Sequence, residues 1–332
     1  MHTLILFNEP TLPREHPDWA QEAGVLESVQ AIEGALTNAA HRTSRLGIRT
    51  PHEAIDAIHR HSRPDVVFNL FEGFGGVGTG EAAVAGLLDL MGWPYTGSPA
   101  ECLGIARDKL RTKRLLAGAG LPTPRAVLVA DNDRDFNAID ELLSGGPCIV
   151  KPADQDGSLG IGADSIVHDM DAAEQKVDSV LRHWGPALIE RFVDGREFNV
   201  STVDVDRRRV LPLAEIEFDA CVAGGRRIVT YDAKWASESP DCIGTVARCP
   251  AQVDEQLERE IERVSLSAFE VLGCRDYARV DLRISERGEV FILEVNANPD
   301  LDPQAGLARA LGVAGIDYDA FIVQLAENAA RR

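Results

Sequence analysis

The chain has 332 residues, 45% of them hydrophobic and 26% charged, with a formal net charge of −19. Length and apolar content together imply a large core and two or three domains. The acidic balance argues against nucleic acid and anionic membranes as partners, since both call for basic surface, and the apolar run at 82–93 is broken by Gly86 and Asp89 before it could span a bilayer. Residues 1–7 are too short and too weakly basic for a signal peptide, so a cytoplasmic location is expected. Residues 3–7 and 65–71 read as strands; between them a helix over 22–40 aligns Val25, Val29, Ile32 and Leu36, and a shorter one covers 53–61. This alternation suits a parallel sheet. Gly73, Gly75, Gly76, Gly78 and Gly80 then precede a helix over 81–91. They invite a dinucleotide site, and with it an NAD-dependent oxidoreductase, but the spacing misses GxGxxG and the strand before them is not the first of its sheet. A substrate-side loop is the stronger reading.

A new unit opens near Pro99 with a helix carrying Ile105, Lys109, Lys113 and Leu116, which stops at Gly120 before Pro122 and Pro124. Strands at 126–130 and 147–152 lead into a glycine-rich loop that runs to Gly162, and a strand at 165–168 follows. From 187 the chain is strand-rich, at 188–192, 197–203 and 210–218. A helix over 252–272 turns Val253, Leu257, Ile261, Val264 and Leu272 inward, a hairpin covers 276–296, and a helix over 318–330 comes last. The six cysteines include no CxxC pair, which argues against a zinc site or a disulfide framework. All eight histidines lie at or before His183, so the half containing the hairpin has none for a catalytic triad.

The hairpin holds the most chemistry. A turn centred on Arg287 and Gly288 pairs Val280 with Val295, Leu282 with Leu293 and Ile284 with Phe291 on an apolar face. The other face sets Asp281 opposite Glu294 and Arg279 opposite Asn296. Facing carboxylates repel, so the arrangement fits a divalent cation held by hard oxygens, magnesium above all. A solvated face with Arg279 and Arg283 neutralising the acids fits the same pattern. Upstream, the loop after Lys151 offers backbone N–H groups and a point charge to phosphate, although it is no Walker A motif and a structural loop would use the same glycines. Lys234 stands in a stretch too polar for a core strand. Lys109, Lys151, Lys234 and Arg279 with Asp281, Glu294 and Asn296 make the set that phosphoryl transfer needs.

The order of motifs resembles the ATP-grasp superfamily, in its D-alanine:D-alanine ligase-like branch. The likeness runs from about Val66 onward through Gly92-Trp93-Pro94-Tyr95-Thr96-Gly97-Ser98, Asp108-Lys109, Leu121-Pro122-Thr123-Pro124, Ile149-Val150-Lys151-Pro152, Gly195-Arg196-Glu197-Phe198, Tyr231-Asp232-Ala233-Lys234, Ala278-Arg279-Val280-Asp281 and Leu293-Glu294-Val295-Asn296. It implies a mixed α/β and α+β ATP-grasp fold: a Rossmann-like domain over 1–100, then ATP-grasp subdomains over 101–193 and 194–332 that clasp ATP. It further implies that Lys109 and Lys151 contact phosphates under a loop containing Gly157 and Ser158, and that Glu190 and Val193 face adenine and Glu197 the ribose. Lys234 would reach the terminal phosphate, Arg279 would stabilise the reacting centre, and Asp281, Glu294 and Asn296 would hold one or two magnesium ions, with manganese a substitute. The activity implied is carboxylate–amine ligation through an acyl phosphate, releasing ADP and phosphate, on small-molecule carboxylate and amine substrates, by a homodimer.

The chain departs from that branch where amino acids bind. The family's Thr-Ser-Pro-Gly-Met-Thr-x-x-Ser segment is Ala297-Asn298-Pro299-Asp300-Leu301-Asp302-Pro303-Gln304-Ala305 here, so Ala305 replaces the serine that holds the second substrate's carboxylate. Asp300 and Asp302 would repel a carboxylate-bearing acceptor. Trp235 replaces the family tyrosine, Gly157 replaces the first loop serine, and the N-terminal glutamate of the substrate clamp has only Glu9, Glu15 and Glu72 as candidates. The expectation is a ligase whose substrates are not two D-alanines. A D-alanine:D-alanine ligase of cell-wall synthesis with altered contacts and a non-catalytic ATP-binding regulatory protein are the alternatives.

Overall fold

The computed structural model describes residues 1–16, 19–74, 79–155, 157–220, 222 and 225–332. Gly75, Gly76 and Gly78 of the glycine cluster, Asp156 of the glycine-rich loop and Cys221 lie outside the described residues. Strands β1 (His2–Asn8), β2 (Arg42–Ile48) and β3 (Val66–Leu70) form a parallel sheet in the order β2-β1-β3. Strand β2 was not expected from the sequence. As an edge strand it is mostly half-buried or exposed, so its residues lack a clear apolar alternation.

Strands β4 (Ala126–Val129), β5 (Cys148–Pro152), β6 (Ile166–Val167) and β7 (Ala187–Arg191) make an antiparallel sheet in the order β4-β7-β5-β6. The third sheet contains β8 (Gly195–Asp204), β9 (Arg208–Val210), β10 (Ala214–Phe218), β11 (Thr245–Arg248), β12 (Tyr277–Ser285) and β13 (Val290–Asn296). It is antiparallel in the order β11-β10-β8-β12-β13, with β9 also on β8. The expected strand over 210–218 is therefore two strands; Pro212, which cannot donate to a ladder, stands between them. Likewise, the helix expected across 99–120 is two, Ala100–Arg107 and Lys109–Gly118. Asp108 leaves the helical conformation between them and caps the second by accepting from Arg111 N–H at 2.9 Å.

Apolar stripes hold these layers together. Helix Val25–Asn38 buries Val25, Val29, Ile32 and Leu36 against one side of the parallel sheet, in a core shared with helices Gly306–Val313 and Tyr318–Ala330. The opposite side packs on helices Thr79–Met91 and Ala100–Arg107, and that core continues into Phe198, Val280, Leu282 and Val295 of the third sheet. Helices Phe136–Ser144 and Met170–Trp184 cover the second sheet. Among the described residues no helix is long and apolar enough to cross a membrane.

The register of the hairpin positions the polar residues of interest. Arg279 pairs with Asn296, Val280 with Val295 and Asp281 with Glu294, as expected. Beyond the acids, however, Leu282 pairs with Ile292 and Ile284 with Val290, in place of the expected Leu293 and Phe291. The loop has three residues, since Ser285 and Glu289 bond across it at 2.9 Å and Gly288 takes φ +79°. That shifts the register by one, and a bulge between Asp281 and Leu282 shifts it back. The two offsets cancel from the carboxylate pair onward, so Arg279, Val280 and Asp281 all keep the expected partners. Next door, Gly195 has φ +145° and a side chain there would meet Ile284 O at 1.9 Å, so glycine permits the close approach of β8 to β12.

Candidate active site

Period-two alternation assembles the floor of a cleft between the second and third sheets. Glu197 and Asn199 share one face of β8, and Arg279, Asp281 and Arg283 share one face of β12. Antiparallel pairing sets Asn199 beside Asp281 and Glu197 beside Arg283. From the opposite side come Lys109, Lys151, Glu190 and Val193, with the loop residues Gly157 and Ser158 and the short-helix residue Lys234. Gly157 and Ser158 both adopt positive φ, which folds the loop tightly. Ile149, Ile161, Phe192, Ile216 and Ile228 supply apolar wall to a cavity of about 280 Å³. Among the described residues six lysines and arginines line it (Lys109, Lys151, Arg191, Lys234, Arg279, Arg283) against four carboxylates (Glu190, Glu197, Asp281, Glu294). An excess of cations in a chain of net charge −19 marks a local anion site.

Asp281 is buried and accepts hydrogen bonds on both oxygens. Arg279 grips it with Nε at 2.8 Å and Nη2 at 3.0 Å, while Asn199 donates at 2.8 Å and Asn296 at 3.1 Å. The solvated-face alternative was right that Arg279 neutralises this acid, but Arg283 turns elsewhere. Its guanidinium donates twice to Glu197 Oε2, at 2.6 and 3.1 Å, and also to the carbonyls of Val193 and Arg227. Glu294 makes no hydrogen bond among the described residues. Burial raises its pKa, but Lys109, Lys151, Lys234 and Arg279 outweigh burial and pull it down to about 2. Facing carboxylates are thus tolerated because cations surround both.

The lysines divide by partner. Lys109 donates to the Gln155 carbonyl in the glycine-rich loop. Lys151 is ion-paired with Glu190 at 2.7 Å, and Lys113 approaches the same carboxylate at 2.7 Å. Glu190, assigned to adenine by resemblance, is therefore held by two ammonium groups, and the Val193 carbonyl is held by Arg283. Lys234 is open to the cleft on helix Tyr231–Trp235, which Thr230 caps. Enclosure by the cleft walls and then Arg279 lower its pKa, while Glu294, Asp281 and Glu197 oppose that. Beside it, Trp235 Nε1 donates to Gly157 O at 3.0 Å, joining the short helix to the loop.

Asp300 and Asp302 do not line this cleft. Asp300 accepts from Ser28 Oγ at 3.2 Å and Asp302 N–H at 2.8 Å, and Asp302 accepts from Gln304 N–H at 2.7 Å, so both brace their own loop. Sequence reasoning passed over Lys113, Asn199 and Arg283 as site residues. Each carried a positional signal: Lys113 lies one helical turn after Lys109, while Asn199 and Arg283 lie two residues from Glu197 and Asp281 on the same strand faces.

Two carboxylates and an amide suit magnesium. Among the described residues no three His, Cys, Asp or Glu side chains cluster as a metal cage. Magnesium needs none, for it commonly takes one or two carboxylates and completes its shell with phosphates and water. Glu294 is ionised with its oxygens uncommitted, and Asn296, which donates to Asp281 through nitrogen, keeps its amide oxygen for a cation.

Residues 115–327 match the family model described as "D-ala D-ala ligase C-terminus". Uncharacterized protein y4sG of Sinorhizobium fredii is 31% identical, over 98% of this chain and 93% of that protein. D-alanine–D-alanine ligase B of Chromobacterium violaceum is 34% identical over 77% of each. Among solved structures, the D-alanine–D-alanine ligase from Bacillus anthracis complexed with ATP superposes with TM-score 0.76 at 20% identity, covering 100% of this chain and 98% of that one. VanG D-Ala:D-Ser ligase from Enterococcus faecalis superposes with TM-score 0.77 at 18% identity, covering 99% of each chain. The chain has the ATP-grasp fold and belongs to the D-alanine–D-alanine ligase family.

Proposed function

We propose that the protein is an ATP-dependent carboxylate–amine ligase whose substrate pair is not two D-alanines. The observation that carries the nucleotide half is the convergence of Lys109, Lys151, Lys234, Arg279, Asp281 and Glu294 on one cleft. Lys109 and Lys151 would bind phosphates under the Gly157–Ser158 turn, Glu190 and Val193 would meet the base, Glu197 the ribose, and Lys234 the terminal phosphate. Asp281, Glu294 and Asn296 would hold magnesium, which would supply positive charge against the phosphates. Arg279, already oriented by Asp281, would face the charge developing at the reacting centre. The substrate carboxylate attacks the γ-phosphorus and ADP leaves; the amine nitrogen then attacks the acyl carbon and phosphate leaves. Positioning and charge stabilisation suffice, so no covalent enzyme nucleophile is needed. The reading divides the chain at 1–100, 101–193 and 194–332, each block containing one of the three sheets seen among the described residues. Family likeness supports reading the protein as a cytoplasmic homodimer.

Substrates other than two D-alanines are supported by Ala305, Trp235 and Gly157 at the amino-acid side. Trp235 gives its indole N–H to the Gly157 carbonyl, a latch of different chemistry from a tyrosine–serine contact. The test is incubation with magnesium-ATP and either D-alanine alone or pools of amino acids and amines, following phosphate release and new masses. Phosphate release with a product other than D-alanyl-D-alanine is expected. If D-alanyl-D-alanine is the sole product, the conservative ligase replaces this proposal; ATP binding without turnover in any pool would leave a nucleotide-binding regulator.

A further inference from the structure

Glu190 is paired with two lysines where one would neutralise it. Its Oε1 lies 2.7 Å from the Lys151 ammonium and its Oε2 2.7 Å from that of Lys113, with all three side chains less than one-tenth exposed. Lys151 is part of the cleft wall, but Lys113 lies behind it. The Lys113 nitrogen has two further acceptors, Thr123 Oγ1 at 3.1 Å and the Leu293 carbonyl at 3.2 Å. Thr123 gives its one hydroxyl proton to Ile292 O at 2.9 Å, so toward Lys113 it can only accept. A neutral amine hydrogen-bonded to Thr123 and Leu293 would have to turn its lone pair toward the Glu190 carboxylate 2.7 Å away, whereas an ammonium meets that carboxylate with opposite charge. The geometry therefore holds Lys113 charged, although burial lowers its pKa.

We propose that Lys113 is a positioning residue for nucleotide binding: it neutralises Glu190 from behind the cleft, which releases Lys151 to turn from Glu190 to a phosphate. The inference rests on the ATP-dependent reading above. Without Lys113, Lys151 could leave only by stranding a buried carboxylate, which is strongly unfavourable. Lys151 would then stay with Glu190 and be lost to the phosphates. With Lys113 present, Glu190 keeps a full ion pair at 2.7 Å whichever way Lys151 points. Thr123 and Leu293 hold the second lysine on station, and its place behind the wall keeps it from competing for the ligand.

The test compares binding of ATP and of adenosine, by calorimetry with magnesium, to the unaltered protein and to Lys113→Met, Lys113→Arg, Glu190→Gln and Lys113→Met/Glu190→Gln. Each variant's fold is checked by circular dichroism and melting. Lys113→Met should weaken ATP binding about 10- to 100-fold, the size of one charge-assisted hydrogen bond, and Lys113→Arg less. Adenosine, which lacks phosphates, should change by no more than about twofold. In the Glu190→Gln background the same lysine change should shift ATP binding by at most about twofold, because no charge remains to neutralise. That background also gives the answer if Lys113→Met alone fails to fold. Equal losses for ATP and adenosine, or a full loss in the Glu190→Gln background, would overturn the proposal while leaving the ligase reading intact. Absence of ATP binding by the unaltered protein would overturn both.

Discussion

Replacing Glu294 by glutamine removes one charge from the cleft with little change in shape, and the sign of its effect separates two pictures of the hairpin. If repulsion between Asp281 and Glu294 dominated, the variant would be more stable. The structure argues for the opposite sign. Asp281 is held by Arg279, Asn199 and Asn296, and the cations around Glu294 overcome its burial to bring its pKa from 4.5 to about 2. At about 1.4 kcal/mol per pKa unit, the charged form is favoured by roughly 3 kcal/mol. Glu294→Gln should therefore lose about 2–4 kcal/mol of stability at pH 7. The assay is urea unfolding without nucleotide or metal, since either would add its own binding energy to the folded state. In the same variant, phosphate release from magnesium-ATP should fall to background. Stability equal to or above that of the unaltered protein would refute the view that cations govern this hairpin. Undiminished phosphate release would remove Glu294 from the metal site.

Two further outcomes test the surrounding charges. Arg283→Met leaves Glu197 buried without its guanidinium and should cost about 3–5 kcal/mol in urea unfolding; the double variant with Glu197→Gln should recover most of that, and failure to recover would show that Arg283 acts through its carbonyl contacts instead. Glu190 tests the pH dependence. Burial raises its pKa, but Lys113 and Lys151 together bring it below the ordinary carboxylate value. Its contribution to stability is thus present above the unfolded value of about 4.3 and is lost as pH falls through the lower folded value. Stability of Glu190→Gln should accordingly depend less steeply on pH below that point, and parallel curves for the two proteins would show that Glu190 gains nothing from its lysines.

The polar half of the site was legible because it lies on strands. Alternation placed Arg279 and Asp281 of one strand and Glu294 and Asn296 of the next on a single face, and the observed pairing agrees at these positions. The same alternation failed just beyond them. Phe291, Ile292 and Leu293 are all apolar and carry no parity signal, so the three-residue loop and the compensating bulge were invisible. Lys109 stood out beside Asp108, whereas Lys113 one turn later looked like any helix-surface lysine until Glu190, 77 positions away, was seen to reach it.

The sequence by itself determined most of the elements, the family and most of the charged residues of the cleft, because period, glycine and proline placement and motif order are properties of neighbouring positions. Only the tertiary structure decided which charges neutralise which. Arg283 belongs to Glu197 and Arg279 to Asp281, while Glu190 belongs to two lysines from different elements. Asp300 and Asp302 hydrogen-bond within their own loop, and Asp300 also to Ser28, contacts that their spacing alone did not reveal. Ion pairing depends on distance and burial across segments far apart in the chain, and local spacing does not encode it.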